Sequence, residues 1–113
     1  MNKEEFCDAI KQIDIYDKEE YNKLLGKVKH NICQNMRIAR KLSGLNVEDA
    51  AILLDLEPQS LRRIEAVNDR DEFSSKVLIM AVMVYEKDAN FYFNDWKENQ
   101  LLLDKKKTIK QYN

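Results

Sequence analysis

Apolar residues first recur at helical spacing at Phe6, Ala9, Ile10 and Ile13, which predicts a short amphipathic helix over residues 4–13. Residues 14–17 break it. Asp17 and Glu20 have capping-box spacing, and Tyr21, Leu24, Leu25 and Val28 carry one apolar face onward. Near His30 and Asn31 the pattern predicts a kink or a restart, because Asn31 followed by Gln34 reads as a further cap. The stripe resumes through Ile32, Met36 and Ala39 and stops at Ser43-Gly44, glycine being the usual residue just past a helix end.

Asn46 is a good N-cap for the next helix, with Glu48 and Asp49 in a first turn where the helix dipole favours negative charge. Ala50, Ala51 and Leu54 turn inward from it. Residues 55–57 form a tight turn, and Pro58 takes the first position of a following helix, where a missing N–H costs nothing. Leu61 and Ile64 then face the core, which leaves Gln59, Arg62 and Arg63 outward. After the loop of residues 67–73, Ser74 or Ser75 caps a helix whose stretch 77–85 is apolar on every side. Such a helix must be covered on more than one face. Asp88 or Asn90 caps a last segment bearing Phe91, Tyr92, Phe93, Trp96 and the leucines 101–103, and a basic tail of residues 105–107 follows.

Composition narrows the class. With 113 residues, two glycines and one proline, the chain fits one domain built from long helices rather than a loop-rich β architecture. The longest apolar run is nine residues, against about 20 needed to span a bilayer, so no membrane contact is expected. No secretory leader is read, and Cys7 and Cys33 are too few for a disulfide scaffold, which points to the cytoplasm. Charge is uneven. Lys and Arg number six against seven Asp and Glu over residues 1–31, eight against ten over 32–93, and five against three over 94–113.

Residues 32–93 resemble the phage-repressor (Cro/XRE-type) helix-turn-helix family. The likeness is carried by ICQNMRIARKLSGLNVEDAAILLDLEPQSLRRIE: apolar positions, Arg, Gly-Leu, a cap, Ala, Leu, a turn, and Arg-Ile-Glu. It implies an all-α, five-helix repressor-like domain over 32–93, with an N-terminal helical extension over 1–31 and a C-terminal helix and basic tail over 94–113. It also implies an ion pair between Arg40 and Glu65, tying the first helix of the domain to its reading helix; two solvated charges are the plain alternative. Asp55 replaces the turn glycine, and aspartate tolerates the left-handed conformation needed there. Val47 stands where the family usually carries a polar phosphate contact.

By the same resemblance the partner is double-stranded DNA. Asn46 and Val47 would offer backbone N–H groups to a phosphate. Gln59, Arg62 and Arg63, with Ser60 beside them, would reach base edges, since Gln pairs with adenine and Arg with guanine. Lys41 and Arg70 would hold the backbone. Each of these cations is otherwise an ordinary surface charge, and the lysines 105–107, which could track the DNA backbone, read first as a solvated helix end or frayed tail. The apolar surplus predicts a homodimer interface at Met80, Met83, Tyr92, Trp96 and Leu103, with cover from within the chain as the alternative. His30 and Cys33 sit three apart but fall short of a four-ligand site, so no metal, cofactor or catalytic role is assigned. The acidic balance of 32–93, Val47 and the Glu57-Pro58 opening support a second expectation. In it the chain is a helix-turn-helix module that binds another regulator protein.

Overall fold

The computed structural model describes residues 3–12, 17–66 and 74–112, and within them every regular element is a helix. In order these are α1 (Lys3–Gln12), α2 (Lys18–Leu42), α3 (Val47–Leu53), α4 (Pro58–Glu65), α5 (Ser75–Val84), α6 (Ala89–Phe93) and α7 (Trp96–Tyr112). The chain is all-α, as expected from its scarcity of Gly and Pro. Ile13, the Phe6 side chain and the loop of residues 67–73, Arg70 among them, lie outside the described residues.

Most helix ends follow from local side-chain chemistry. The Asp17 carboxylate accepts from Glu20 N at 3.1 Å to start α2, and the Asn46 carboxamide accepts from Asp49 N at 2.8 Å to start α3. The Ser74 hydroxyl and the Asp88 carboxylate do the same for α5 and α6. Gly44 ends α2 at φ 74°, where Leu45 N reaches Arg40 O and Gly44 N reaches Lys41 O, so two carbonyls left over by the helix are satisfied. Asp55 ends α3 the same way at φ 58°, with Leu56 N bonded to Ala51 O and Asp55 N to Ile52 O. The left-handed aspartate implied by the resemblance is therefore present.

α2 corrects the sequence reading. It is a single helix of 25 residues and does not restart at His30-Asn31. Asn31 is not a cap: it is 2% exposed, and its side chain points into the molecule. The boundary expected after residue 31 thus falls inside one continuous rod. α4, α6 and α7 all pack on this rod, while α1 lies against it and α3 against α4. The core joins Ile32, Met36, Ile38 and Ala39 of α2 to Ala50, Ala51 and Leu54, to Leu61 and Ile64, and to Val77, Ala81 and Tyr85.

The last apolar segment is two helices rather than one. Asn94 is extended (φ −68°, ψ 157°), and α7 begins two residues later. Buried carboxamides hold this break against α2. Asn35 Nδ2 donates to Tyr92 O at 2.9 Å and to Asn94 O at 2.8 Å, and Asn31 Nδ2 donates to Asn94 O at 2.6 Å. Asn31 Oδ1 accepts from Trp96 N at 2.9 Å, satisfying a first-turn donor of α7. Asn99 Nδ2 closes the set, donating to Asn35 Oδ1 and to Phe91 O, each at 2.9 Å.

Two further corrections follow. Tyr92 is 0% exposed and donates its hydroxyl to Ala81 O at 3.0 Å, and Leu103 is 4% exposed, so both belong to the chain's own core and are closed to a second subunit. The lysines 105–107 belong to α7 rather than to a frayed tail; Lys105 and Lys107 are exposed, as a solvated helix end requires, whereas Lys106 is half-buried and its Nζ donates to Leu42 O at the end of α2. Met83 remains 70% exposed, Met80 is half-buried, and half-buried Trp96 lies edge-on to His30 with ring centroids 6.5 Å apart.

The two thiols differ sharply. Cys33 is 1% exposed and burial pushes its pKa up to about 11, whereas Cys7 is exposed on α1. A thiolate, not a thiol, is the reactive form. A thiol reagent at pH 8 is expected to modify one cysteine in the native protein, Cys7, and the second only after denaturant is added. Modification of both without denaturant, counted by mass spectrometry, would place Cys33 at the surface.

Candidate nucleic-acid interface

α4 is only eight residues long, so its orientation is set by what grips it. Leu61 is 0% and Ile64 7% exposed, and these two hold its inner face. Glu65, in its last turn, is 8% exposed and is gripped by Arg40 of α2. Arg40 Nε donates to Glu65 Oε2 and Arg40 Nη2 to Glu65 Oε1, both at 2.8 Å, in a two-pronged pairing that fixes angle as well as distance. A third donor, Arg40 Nη1, reaches Leu45 O at 2.9 Å in the turn before α3. One guanidinium thus ties together α2, α4 and the α2–α3 corner, and the expected ion pair is present and buried.

The electrostatics agree with that geometry. Hydrogen bonding to Glu65 raises the Arg40 pKa, outweighing the opposing effect of burial. The Tyr85 hydroxyl, also buried, is held well above its ordinary range, first by burial and then by the Glu65 carboxylate. It has no hydrogen-bond partner among the described residues.

With its inner face fixed, α4 turns Gln59, Arg62 and Arg63 to solvent on one side, while Ser60 is half-buried. Arg62 is not idle. It pairs with Glu48 of α3, both side chains being about half exposed, so it must leave that carboxylate before it can meet a base. An exposed pair of this kind contributes roughly 0–1 kcal/mol, a small barrier beside a good base contact. Glu48, Asp49, Asp55 and Glu57 are all exposed on these two helices and their turn, and Asp55 pairs with Lys76 of α5 at 3.3 Å.

The remaining expected contacts divide. Asn46 is exposed, with its side chain spent on Asp49 N. Val47 is half-buried against the core, which accounts physically for an apolar residue at a position where the resemblance suggests a polar one. Lys41 is half-buried at the end of α2, and burial followed by the neighbouring cations Arg37, Lys107 and Arg40 lowers its pKa. His30 is exposed and Cys33 buried, so the two do not converge.

Sequence reasoning missed Asn31, Asn35 and Asn99, and also Lys106. A signal for the first two was present. Leu24, Val28, Asn31, Asn35, Ile38 and Leu42 alternate at spacings of four and three, so two carboxamides sit within an otherwise apolar helical stripe. Polar groups on such a stripe are buried only with partners.

Outside this face the exposed large apolar residues among those described are Ile10 on α1, Tyr21 and Leu25 on α2, Ile52 (75%) and Leu53 on α3, Ile79 and Met83 on α5, and Leu101 and Leu102 on α7. Among the described residues no helix is long and apolar enough to cross a membrane. No family model matches the chain, and neither a curated protein nor a solved structure matches it.

Proposed function

We propose that the chain is a small, sequence-specific DNA-binding regulator of the repressor type, with α3, the turn at Asp55 and α4 forming its helix-turn-helix. The observation that carries this reading is the buried Arg40–Glu65 clamp, which holds α4 at a fixed angle while Gln59, Arg62 and Arg63 stay open to solvent. A reading helix needs both properties, because base-edge hydrogen bonds discriminate only from a well-positioned scaffold. Gln59 suits adenine and the arginines suit guanine. Two copies would place two α4 helices on a pseudo-palindromic site, joined through exposed Met83 and half-buried Met80 and Trp96. Sedimentation at micromolar concentration returning only a 13.4 kDa species would remove the dimer.

The test is selection of binding sites from random duplexes, followed by titration of wild type and Arg63→Ala on selected and random DNA. Loss of one bidentate contact costs about 1–3 kcal/mol, so Arg63→Ala is expected to weaken the selected site roughly 5- to 100-fold and change random-duplex affinity far less. Equal binding of the selected site by both proteins sinks the assignment of Arg63.

A second reading has its own support. Ile52 is 75% exposed, Ile79 and Met83 are exposed on α5, and Glu48 occupies Arg62. In this reading the same fold pairs with another regulator protein and has no duplex affinity at physiological salt. Affinity for random duplex that falls steeply with salt would exclude it.

A further inference from the structure

Residues 94–113 hold five Lys and Arg against three Asp and Glu, and all five cations lie on α7. α7 packs along α2, and buried Leu103 fixes one of its turns there. Lys106 Nζ, donating to Leu42 O, fixes the next turn against the end of α2. Together these contacts bring α7's lysines to the corner where α2 gives way to α3. A cavity of about 330 Å³ opens at that corner, lined by Lys41, Leu45, Leu103, Lys106 and Lys107. Two leucines and three lysines thus share its lining.

Among the described residues no carboxylate lines it. Lys41 is held below its ordinary pKa by burial and then by Arg37, Lys107 and Arg40. Like charges so crowded in a half-buried place repel, and an anion bound among them relieves that repulsion. Leu45, on the cavity wall, immediately precedes the N-cap of α3, so the corner adjoins the unit that ends in the exposed face of α4.

We infer that Lys41 and Lys107, positioned by Lys106, form a seat for a backbone phosphate of duplex DNA beside the α2–α3 corner. This inference rests on the DNA-binding reading and adds to it a contact from outside the two-helix unit. α7 supplies what an acidic helix-turn-helix lacks. Residues 32–93 hold ten Asp and Glu against eight Lys and Arg, so α4 alone cannot draw a polyanion by field. A seat of this kind positions the protein and carries no sequence information.

The test uses the full chain and fluorescence anisotropy on a random-sequence 20-base-pair duplex and on a selected duplex, between about 50 and 200 mM salt. The variant Lys41→Gln/Lys107→Gln is expected to reduce the slope of log affinity against log salt by about two and to weaken both duplexes by the same factor, roughly 10- to 100-fold. Lys23→Gln/Lys27→Gln, which removes the same charge from the distant half of α2, is expected to leave the slope unchanged; thermal melts confirm that both variants fold. If wild type binds with a salt-dependent slope that Lys41→Gln/Lys107→Gln retains, the phosphate seat is wrong and the DNA-binding reading stands. If the two double variants lose slope equally, the effect is one of net charge and the seat is again wrong. If wild type shows no salt-dependent duplex affinity, both fall. Binding of polyglutamate but not duplex would reassign the corner to an acidic protein.

Discussion

Arg40→Ala is expected to cost the folded protein about 3–5 kcal/mol, the largest loss for any single charged side chain described here. The size comes from what is left behind rather than from the attraction removed. Glu65 is 8% exposed, and without the guanidinium its carboxylate stays buried with neither partner nor water. The bond from Arg40 Nη1 to Leu45 O is lost as well, at the corner that sets α3. Urea unfolding followed by circular dichroism reads the loss as a lowered midpoint. Arg40→Met combined with Glu65→Leu is expected to recover most of it, because replacing both members of a buried pair by apolar groups is often neutral. A loss below about 1 kcal/mol in Arg40→Ala would place the pair in solvent, where exposed ion pairs contribute that little. In the doubly apolar variant the fold is retained but the angular constraint on α4 is gone. Discrimination between selected and random duplex is therefore expected to fall further than stability does.

The second large effect is expected at Asn35. Asn35→Leu keeps nearly the same volume, so it opens no cavity, yet it is expected to cost on the order of 3 kcal/mol. Tyr92 O keeps only a long contact of 3.5 Å to Asn31, Asn94 O loses one of two donors, and Asn99 loses one of two acceptors. The loss is local. Hydrogen exchange is expected to speed up along α6 and α7 while the amides of α3 and α4, secured by Arg40 and Glu65, keep their protection. Uniform acceleration across all helices would mean that the molecule opens as one unit and that the carboxamides do not act as a separate joint.

How much of this was legible in the sequence depended on the range of the interaction. Asp17, Asn46, Ser74 and Asp88 cap helices through bonds three residues away, and such chemistry is visible in a short window. Pro58 and the turn at residues 55–57 were equally local, while the left-handed Asp55 was reached through the resemblance. Arg40–Glu65 spans 25 residues and was reached through the resemblance, not through periodicity. Asn31 and Asn35 bond to groups 57 to 65 residues away, and nothing near Asn31 distinguishes a buried carboxamide from a cap. That ambiguity produced the expected break in α2. The same lack of distant information assigned Tyr92 and Leu103 to a second subunit, although α7 folds back and α2 covers them. For the candidate site, the outward set Gln59, Arg62 and Arg63 followed from helical spacing. The partner of Arg62 and the approach of α7 to Lys41 did not, because each needs two elements brought together.

The Asn31–Asn35–Asn99 joint has a consequence for how the molecule meets its surroundings. Carboxamides carry no net charge and do not ionise between acid and alkaline conditions, so neither pH nor dissolved ions shift their pairing. The arginines and lysines that face outward are screened within a few ångströms of added electrolyte. In brine, such a molecule lets go of what it holds while its own frame stays shut.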